Sequence, residues 1–159
     1  MLTMQLIIQQ IHKLLLKKQK TLAVAESCTG GLLSYLLTSL SGSSEYFVLG
    51  LVLYNNLAKS SLLGIPACLI EQKGTVSGPI AVLFAERVMK LAKTDFGIGI
   101  TGIAGPTGAK PNKPVGMVFI AVDSKKQKSC HKFHFSGSRS EIRKTAALKA
   151  LQLLKPLIK

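Results

Sequence analysis

Ser27 is the side chain whose surroundings best suit covalent chemistry. It follows the short apolar segment 21–25 and precedes the glycine pair 30–31, after which residues 32–37 resume an apolar pattern at helical spacing. A strand-to-helix turn holds a hydroxyl at the end of a sheet, where the N–H groups of the next helix start can bind an anion or a developing oxyanion. The loop alone leaves two alternatives open: Ser27 is only a helix N-cap, or the neighbouring Cys28 is the nucleophile.

A serine nucleophile needs a base, and Lys59 is the best candidate in the sequence. His12 lies in an amphipathic opening helix, so a Ser/His/Asp triad has no obvious histidine. A lysine whose pKa is lowered by burial or by neighbouring cations can take that role. Lys59 follows an apolar strand by a few residues, and Tyr54 and Asn56 lie at the same strand end. Taken alone, a lysine at this position is more typical of a solvated helix face.

A second glycine-rich loop, residues 101–108, follows another predicted strand and offers backbone N–H groups and the Thr101 hydroxyl. Ligands of open α/β sheets bind where the carboxyl ends of strands meet, so two such loops facing each other would form one anion-binding pocket. Neither loop matches the fingerprints for ATP or NAD, which are not expected as cofactors. Arg139 and Arg143 are one helical turn apart and suit a phosphate, although two solvent-facing arginines would have the same spacing.

The acidic residues and histidines argue against a metal site. Only seven Asp and Glu are present, and no two of them are adjacent. The one Cys/His cluster comprises Cys130, His131 and His134, but in a strand His131 points away from the other two. The sequence therefore predicts no metal.

The overall charge favours anionic partners. The 159 residues include 21 Lys and Arg against 7 Asp and Glu, a net charge of +14. Because the cations are scattered and only 6% of residues are aromatic, nucleic acid is a possible but not a favoured partner. No apolar stretch reaches the roughly 18 residues of a membrane span, and three distant cysteines fit a reducing compartment, so we expect no membrane partner and a cytoplasmic location. The apolar opening helix and the 47% hydrophobic content predict a homo-oligomer.

Helices and strands that alternate along the chain must position these side chains. Apolar residues at helical spacing predict helices over 5–18, 32–37, 56–63, 78–93 and 141–154. Shorter apolar runs predict strands over 21–25, 47–54, 96–100, 116–122 and 129–135. We interpret 47–54 as a buried strand and the last two strands as a hairpin. The alternation predicts a single α/β domain over residues 1–159, a three-layer α/β/α sandwich with a mixed, mostly parallel sheet.

Several short motifs occur in a fixed order along the chain. They are Ala25-Glu26-Ser27-Cys28-Thr29-Gly30-Gly31, Tyr54-Asn55-Asn56-Leu57-Ala58-Lys59, Leu63-Gly64, Val76-Ser77, Thr101-Gly102-Ile103-Ala104-Gly105-Pro106-Thr107-Gly108, Lys113-Pro114-Val115-Gly116 and Phe135-Ser136-Gly137-Ser138-Arg139. Together they resemble the CinA C-terminal domain family in its stand-alone form, from about residue 6 to residue 154. The family's studied activity is nicotinamide-nucleotide amidase of the PncC type. The resemblance implies hydrolysis of nicotinamide mononucleotide to nicotinate mononucleotide and ammonia in pyridine-nucleotide recycling, with no cofactor.

The resemblance also implies roles for individual residues. Ser27 would be the nucleophile, Lys59 its base and Tyr54 a hydrogen-bonding partner in the same cluster. The oxyanion hole would come from backbone N–H groups of Cys28, Thr29, Gly30 and Gly31. Further substrate contacts would come from Asn56, Thr101, Gly102, Ala104, Gly105, Arg139 and Arg143, with one of the two arginines on the phosphate.

Three acids that are usual in the family are missing from this chain. Their positions are occupied by Leu57, Gly78 and Ser138. The nucleophile and base are retained, so the resemblance still implies an enzyme. The alternative is a catalytically silent relative that binds a nucleotide, or a protein associated with DNA uptake or repair. Without an acid at Ser138, we expect Arg139 to be held less firmly.

Overall fold

The alternating helices and strands form a five-stranded sheet covered on both faces, in a computed structural model that describes residues 4–158. The main elements are α1 (Met4–Lys18), β1 (Leu22–Glu26), α2 (Leu32–Leu37), β2 (Phe47–Val52), α3 (Asn56–Leu63), α4 (Ala67–Lys73), α5 (Gly78–Ala92), β3 (Phe96–Gly102), β4 (Met117–Ser124), β5 (Lys128–His134) and α6 (Arg139–Leu154). Short 3-10 helices lie at Ser43–Glu45 and Lys155–Leu157. None of the helices described is long and apolar enough to cross a membrane.

The strand order across the sheet is β2-β1-β3-β4-β5. β1 pairs in parallel with both β2 and β3, whereas β4 is antiparallel to both of its neighbours. Only β4 therefore runs against the common direction of the sheet. The structure confirms the predicted α/β fold with a mixed, mostly parallel sheet, and β4 and β5 form the predicted hairpin.

The sheet separates two hydrophobic layers. On one face α1, α2 and α6 bury residues such as Ile11, Leu33 and Ala146 against the strands. On the other face α3, α4 and α5 bury residues such as Leu63 and Phe84. Because β1 and β3 are covered on both faces, their carboxyl ends are held rigidly between the layers.

The glycines of β3 allow α5 to approach the sheet unusually closely. A Cβ atom on Gly97 would lie 2.1 Å from the carbonyl oxygen of Ala85, and one on Gly99 would lie 2.2 Å from that of Ala81. No other residue fits at either position, since real Cβ contacts are longer than this. The alternating glycines therefore fix the position of α5, and with it the segment that leads into its first turn.

Two predictions about secondary structure were wrong. Segment 47–54 is not a buried strand: β2 is an edge strand with alternating half-buried and exposed side chains, and Val48 and Val52 are both exposed. Helix α4 lies in a polar interval where no element was predicted. Ser77 occupies the N-cap position of α5, where its hydroxyl donates to the carbonyl of Gly74 (2.8 Å) and makes no cap hydrogen bond.

Candidate functional site

Three parallel strands, β2, β1 and β3, end at the same edge of the sheet, where a cavity of about 200 Å³ opens. Its walls are formed by Ser27, Cys28, Tyr54, Asn56, Lys59, Thr75, Val76, Gly102, Ala104 and Arg139. The chain turns to opposite sides of the sheet after β1 and after β2, so the cavity lies in the kind of crevice where open α/β sheets bind ligands. Eight of the residues predicted for the site therefore lie together around it.

Ser27 directly follows β1, and the buried Glu26 shapes the loop that presents it. The Glu26 carboxylate accepts hydrogen bonds from the backbone N–H groups of Gly31 (3.1 Å), Leu33 (3.0 Å) and Ser34 (2.8 Å) and from the Ser34 hydroxyl (2.6 Å). A carboxylate at the start of a helix satisfies the unpaired N–H groups there and complements the helix dipole. The alternative in which Ser27 caps α2 is therefore wrong, because Glu26 does this.

The N–H groups of the first glycine loop are only partly free to bind an oxyanion. The N–H of Gly30 donates to the carbonyl of Ser27 (3.1 Å), and that of Gly31 donates to Glu26. These two donors are used within the loop. An oxyanion hole in this conformation would therefore depend on the N–H groups of Cys28 and Thr29.

The thiol of Cys28 is a poor nucleophile in this environment. Burial raises its pKa to about 12, and the nearby Glu26 charge adds to this increase. The nearby backbone N–H groups of Cys28 and Thr29 and the Arg143 charge lower the pKa but only partly offset this increase. Because the thiolate is the reactive form of cysteine, the geometry favours Ser27 over Cys28 as the nucleophile.

Lys59 lies on the second turn of α3 with only 2% of its surface exposed. The first turn of α3 is fixed by the Asn55 side chain, which accepts a hydrogen bond from the N–H of Ala58 (2.9 Å). The ammonium Nζ donates to Oδ1 of Asn56 (3.3 Å), and no carboxylate in the described part of the chain forms an ion pair with it. Burial lowers the pKa of Lys59 below its ordinary value. The solvated-face alternative is wrong, and a buried amine without a counter-ion is suited to act as a base.

The two arginines of α6 form hydrogen bonds with different parts of the chain. Arg139 lines the cavity, and its guanidinium donates to the carbonyl of Gly105 (2.6 Å) and to the Tyr54 hydroxyl. It thereby links the end of β2 to the second glycine loop. Arg143 lies outside the cavity and donates from Nε (3.0 Å) and Nη2 (2.8 Å) to the carbonyl of Thr29. The Tyr54 hydroxyl is thus paired with Arg139 and not with Lys59.

Six residues predicted for the site do not line the cavity. They are Thr29, Gly30, Gly31, Thr101, Gly105 and Arg143. The buried Thr101 hydroxyl donates to the carbonyl of Thr75 (2.7 Å), so it supports a wall of the cavity and does not face into it. Gly30 leaves room for a guanidinium, because a Cβ atom there would lie 3.1 Å from Nη2 of Arg143. These residues shape the two loops.

Although the family acid is missing at Ser138, the first turn of α6 has another support. Ser138 is the N-cap of α6 and forms a capping box with Glu141, whose carboxylate accepts from the Ser138 N–H (2.7 Å) and hydroxyl (2.6 Å). This fixes the first helical turn, on which Arg139 lies.

Leu57 occupies a second position that lacks the family acid. It lies at the start of α3 and is 76% exposed.

Sequence reasoning missed three residues of the site: Glu26, Thr75 and Val76. A signal existed for Glu26, since it is the only charged residue between Lys20 and Glu45 and stands where an apolar strand meets a glycine loop. Val76 belongs to one of the motifs named above but was given no role there. Thr75 gave no signal, because its contact with Thr101 at the cavity is a tertiary one.

The described residues hold no metal-binding cluster of three or more His, Cys, Asp or Glu side chains. The cavity instead combines a serine hydroxyl, a buried amine and a guanidinium. That set can open an acyl compound that carries a negative charge: the hydroxyl attacks, the amine moves the proton and the guanidinium holds the anion.

Comparison with known proteins identifies relatives along the whole described chain. The model of the CinA C-terminal domain family matches residues 4–158. A CinA-like protein of Syntrophus aciditrophicus (strain SB) is 48% identical over 146 residues, which cover 91% of this chain and 35% of that protein. This chain thus spans about a third of the length of the curated relatives that it matches.

Solved structures of similar proteins have the same fold over nearly their full length. The competence/damage inducible protein CihA from Agrobacterium tumefaciens is 32% identical with a TM-score of 0.95, covering 98% of this chain and 96% of that one. The competence or damage-inducible protein from Enterobacter asburiae is 27% identical with a TM-score of 0.93, and the match covers 99% of each chain.

Proposed function

The chain belongs to the CinA C-terminal domain family, and on that premise we propose that it is a nicotinamide-nucleotide amidase. It hydrolyses nicotinamide mononucleotide to nicotinate mononucleotide and ammonia, as a step of pyridine-nucleotide recycling in the cytoplasm. The observation that carries the proposal is that Ser27 and the buried Lys59, which has no ion-pair partner in the described part of the chain, line one small cavity.

In the first half of the reaction Ser27 becomes acylated. Neutral Lys59 accepts the hydroxyl proton as Oγ of Ser27 attacks the carboxamide carbon, and the carbonyl oxygen becomes an oxyanion near the N–H groups of Cys28 and Thr29. The C–N bond then breaks while Lys59 returns the proton to the leaving nitrogen. Ammonia departs, and the nicotinate mononucleotide acyl group remains as an ester on Oγ of Ser27.

In the second half water hydrolyses the ester. Lys59 again accepts a proton, this time from the attacking water, and passes it to Oγ of Ser27 as the ester C–O bond breaks. The product is nicotinate mononucleotide, and the enzyme returns to its starting protonation state. Both halves use only residues of this chain and water, so the proposed route needs no cofactor.

Arg139 is our candidate for binding the substrate phosphate. A guanidinium has five N–H donors, and the contacts to Gly105 and Tyr54 use two of them. The remaining donors can pair with phosphate oxygens, while Tyr54 and Gly105 hold the side chain in place. Arg143 has a separate task, since it supports the loop next to Ser27.

Ammonia release from nicotinamide mononucleotide tests the proposal directly. The assay compares the parent chain with Ser27→Ala and with Ser61→Ala, an exposed serine of α3 outside the cavity, with a chelator present throughout. We expect Ser27→Ala to lose at least about a thousandfold in rate and Ser61→Ala to remain active, since removal of a nucleophile abolishes the covalent route. Full activity of Ser27→Ala would exclude the serine mechanism.

A second candidate function follows from the names of the relatives and from the charge. Several relatives are described as competence or damage-inducible proteins, and a net charge of +14 favours nucleic acid as well as small anions. A DNA-associated protein would bind with an affinity that falls by roughly 0.9 log units per log unit of salt for each phosphate neutralised. If the protein is folded and inactive on the nucleotide but shows this salt dependence, the binding function replaces the amidase.

A further inference from the structure

The fold brings three separate lysine runs of the sequence to one end of the sheet. They are Lys17, Lys18 and Lys20 at the end of α1, Lys90 and Lys93 at the end of α5, and Lys125, Lys126 and Lys128 around the turn between β4 and β5. Helices α1 and α5 end where β1 and β3 begin, and the antiparallel β4 ends beside the start of β3. Lysines that are scattered along the chain therefore share one surface at the amino ends of β1 and β3.

Two cavities adjoin in this surface, next to the turn between β4 and β5. The first has a volume of about 410 Å³, and the lysines in its wall are Lys20, Lys125 and Lys126. The second has a volume of about 430 Å³, and the lysines in its wall are Lys90, Lys93, Lys125 and Lys128. Lys125 belongs to both walls, so a ligand that spans the two cavities would pass this side chain.

Most of the positive charge around the two cavities is not compensated. Three acids also line them, and each forms an ion pair: Asp95 with Lys20 (2.9 Å), and Glu86 (3.0 Å) and Asp123 (3.7 Å) with Lys128. No ion pair among the described residues involves the other four lysines, which are Lys90, Lys93, Lys125 and Lys126. Like charges gathered in one place repel each other, so this surface attracts anions.

Helix dipoles explain only a part of this arrangement. A cation at the carboxyl end of a helix is favoured by the dipole, which accounts for Lys90 in the last turn of α5. Lys93 instead has the left-handed conformation (φ 53°, ψ 40°) in which glycine is the usual residue. Lys125 and Lys126 lie in a turn between strands and are not near a helix end of their own. The dipole therefore gives no reason for lysines at the turn.

We propose that the two adjoining cavities bind a chain of phosphate groups, as in an inorganic oligophosphate or the phosphate tail of a nucleotide. An ammonium is a compact charge with three donors, and it pairs with phosphate oxygens from many directions. A row of such groups suits a ligand whose negative charges repeat along a chain. Among the residues that line the two cavities, Phe96 is the one aromatic residue, and it is buried. With no exposed ring on which a base could stack, the site recognises phosphates and not bases.

This site goes beyond the proposed amidase function and is independent of it. Ser27 and Lys59 lie at the opposite end of β1, whose five residues span roughly 16 Å. No residue lines both the cavity of Ser27 and either cavity of the basic surface. Binding of an oligophosphate can therefore be measured without any turnover of substrate.

Calorimetric titration with sodium tripolyphosphate, at fixed ionic strength in a buffer without phosphate, tests the proposal. The test variant combines Lys125→Gln with Lys126→Gln. The control combines Lys132→Gln with Lys144→Gln, which removes the same charge from exposed lysines outside both cavities. We expect the parent chain to bind one equivalent, the test variant to bind at least about tenfold more weakly, and the control to stay within about twofold. Circular dichroism checks that each variant is folded.

Two further ligands define the chemistry of the site. Inorganic monophosphate contacts fewer lysines, so we expect it to bind at least about tenfold more weakly than tripolyphosphate. ATP without a divalent metal distinguishes the sources of the phosphate chain. Binding as tight as that of tripolyphosphate, or tighter, indicates a nucleotide, and weaker binding indicates a free oligophosphate.

Several results would overturn the proposal. They are the absence of saturable binding, equal affinity for monophosphate and tripolyphosphate, and equal weakening in the test variant and the control. A loss of affinity in Arg139→Lys but not in the test variant would place the ligand in the cavity of Ser27 instead. Binding of a single-stranded oligonucleotide without binding of tripolyphosphate would favour the DNA-associated function. An inactive protein that binds tripolyphosphate as expected would contradict the amidase function and not this site.

Discussion

Two cavities lie at opposite ends of the sheet, and a lysine next to a strand end lines each of them: Lys20 in one and Lys59 in the other. The larger, of about 410 Å³, is at the amino ends of β1 and β3, where Lys20 forms an ion pair with Asp95 (2.9 Å). The smaller, of about 200 Å³, is at the carboxyl ends and contains Lys59. Lys20 is partly exposed and its charge is compensated, whereas Lys59 is buried beside a single amide oxygen. The environment of the lysine, and not the size of the cavity, therefore indicates which end is suited to chemistry.

The largest effect expected from this comparison is that of Lys59→Met. Methionine keeps the approximate length of the side chain but cannot accept a proton, so we expect ammonia release to fall at least about a thousandfold. The same change should raise the free energy of unfolding by roughly 1–3 kcal/mol, because a poorly paired buried polar group is removed. Ammonia assays and urea unfolding measure the two effects.

Lys20→Met is the matched control at the other end of the sheet. It removes an ion pair that is partly solvated, so activity should be unchanged and stability should fall by no more than about 1 kcal/mol. If Lys59→Met remained active, or if Lys20→Met abolished activity, the two ends of the sheet would have to be reassigned.

The pH dependence of the reaction should show whether Lys59 is the base. Burial lowers the pKa of Lys59 below 10.5, so the neutral amine forms at a lower pH than in the unfolded chain. Activity limited by this base rises about tenfold per pH unit below the folded pKa and then levels off. Between the folded and unfolded pKa values the unfolded chain binds more protons, so stability also rises with pH. A rate that is independent of pH over the whole range in which the protein stays folded, from acidic pH up to 10.5, would exclude Lys59 as the base.

The sequence predicted the framework of the site better than its details. Local patterns predicted Ser27, Lys59 and Tyr54 at strand ends, and the resemblance to the CinA C-terminal domain family implied that they share one site with an arginine of the last helix. The structure places these three residues and Arg139 around the cavity. Local patterns could not assign hydrogen bonds between distant elements. Arg139 and Arg143 have different roles because they donate hydrogen bonds to different loops, and only the packing of α6 determines which loop each side chain reaches.

The prediction that 47–54 is a buried strand failed for a similar reason, since a local pattern does not show where in the sheet a strand lies. A continuous apolar run normally indicates burial on both faces, but in β2 it belongs to an edge strand whose outer side is open.

Arg139→Lys should have a smaller effect than the loss of the base. Lysine keeps the charge but loses the planar donors that bridge Gly105 and Tyr54. We expect KM for nicotinamide mononucleotide to rise about tenfold, because about one charge-assisted hydrogen bond to the substrate is lost. The change in kcat should be smaller. Steady-state kinetics with the nucleotide and with nicotinamide riboside, which lacks the phosphate, would show whether the loss depends on the phosphate. An equal loss with both substrates would contradict the assignment.

The smallest effect should come from the Asp95 carboxylate at the other end of the sheet. Burial alone would raise its pKa, but hydrogen bonds from Lys20 and from the Thr21 N–H and hydroxyl outweigh this and lower the pKa. A carboxylate with a lowered folded pKa contributes stability above its unfolded pKa, and that stability is lost as the pH falls through the folded value. Asp95→Asn should therefore cost about 1 kcal/mol near neutral pH and nothing at strongly acidic pH, with ammonia release unchanged. Urea unfolding of both proteins across the acidic range measures this difference. A difference that does not shrink at low pH would show that Asp95 acts through packing and not through its charge.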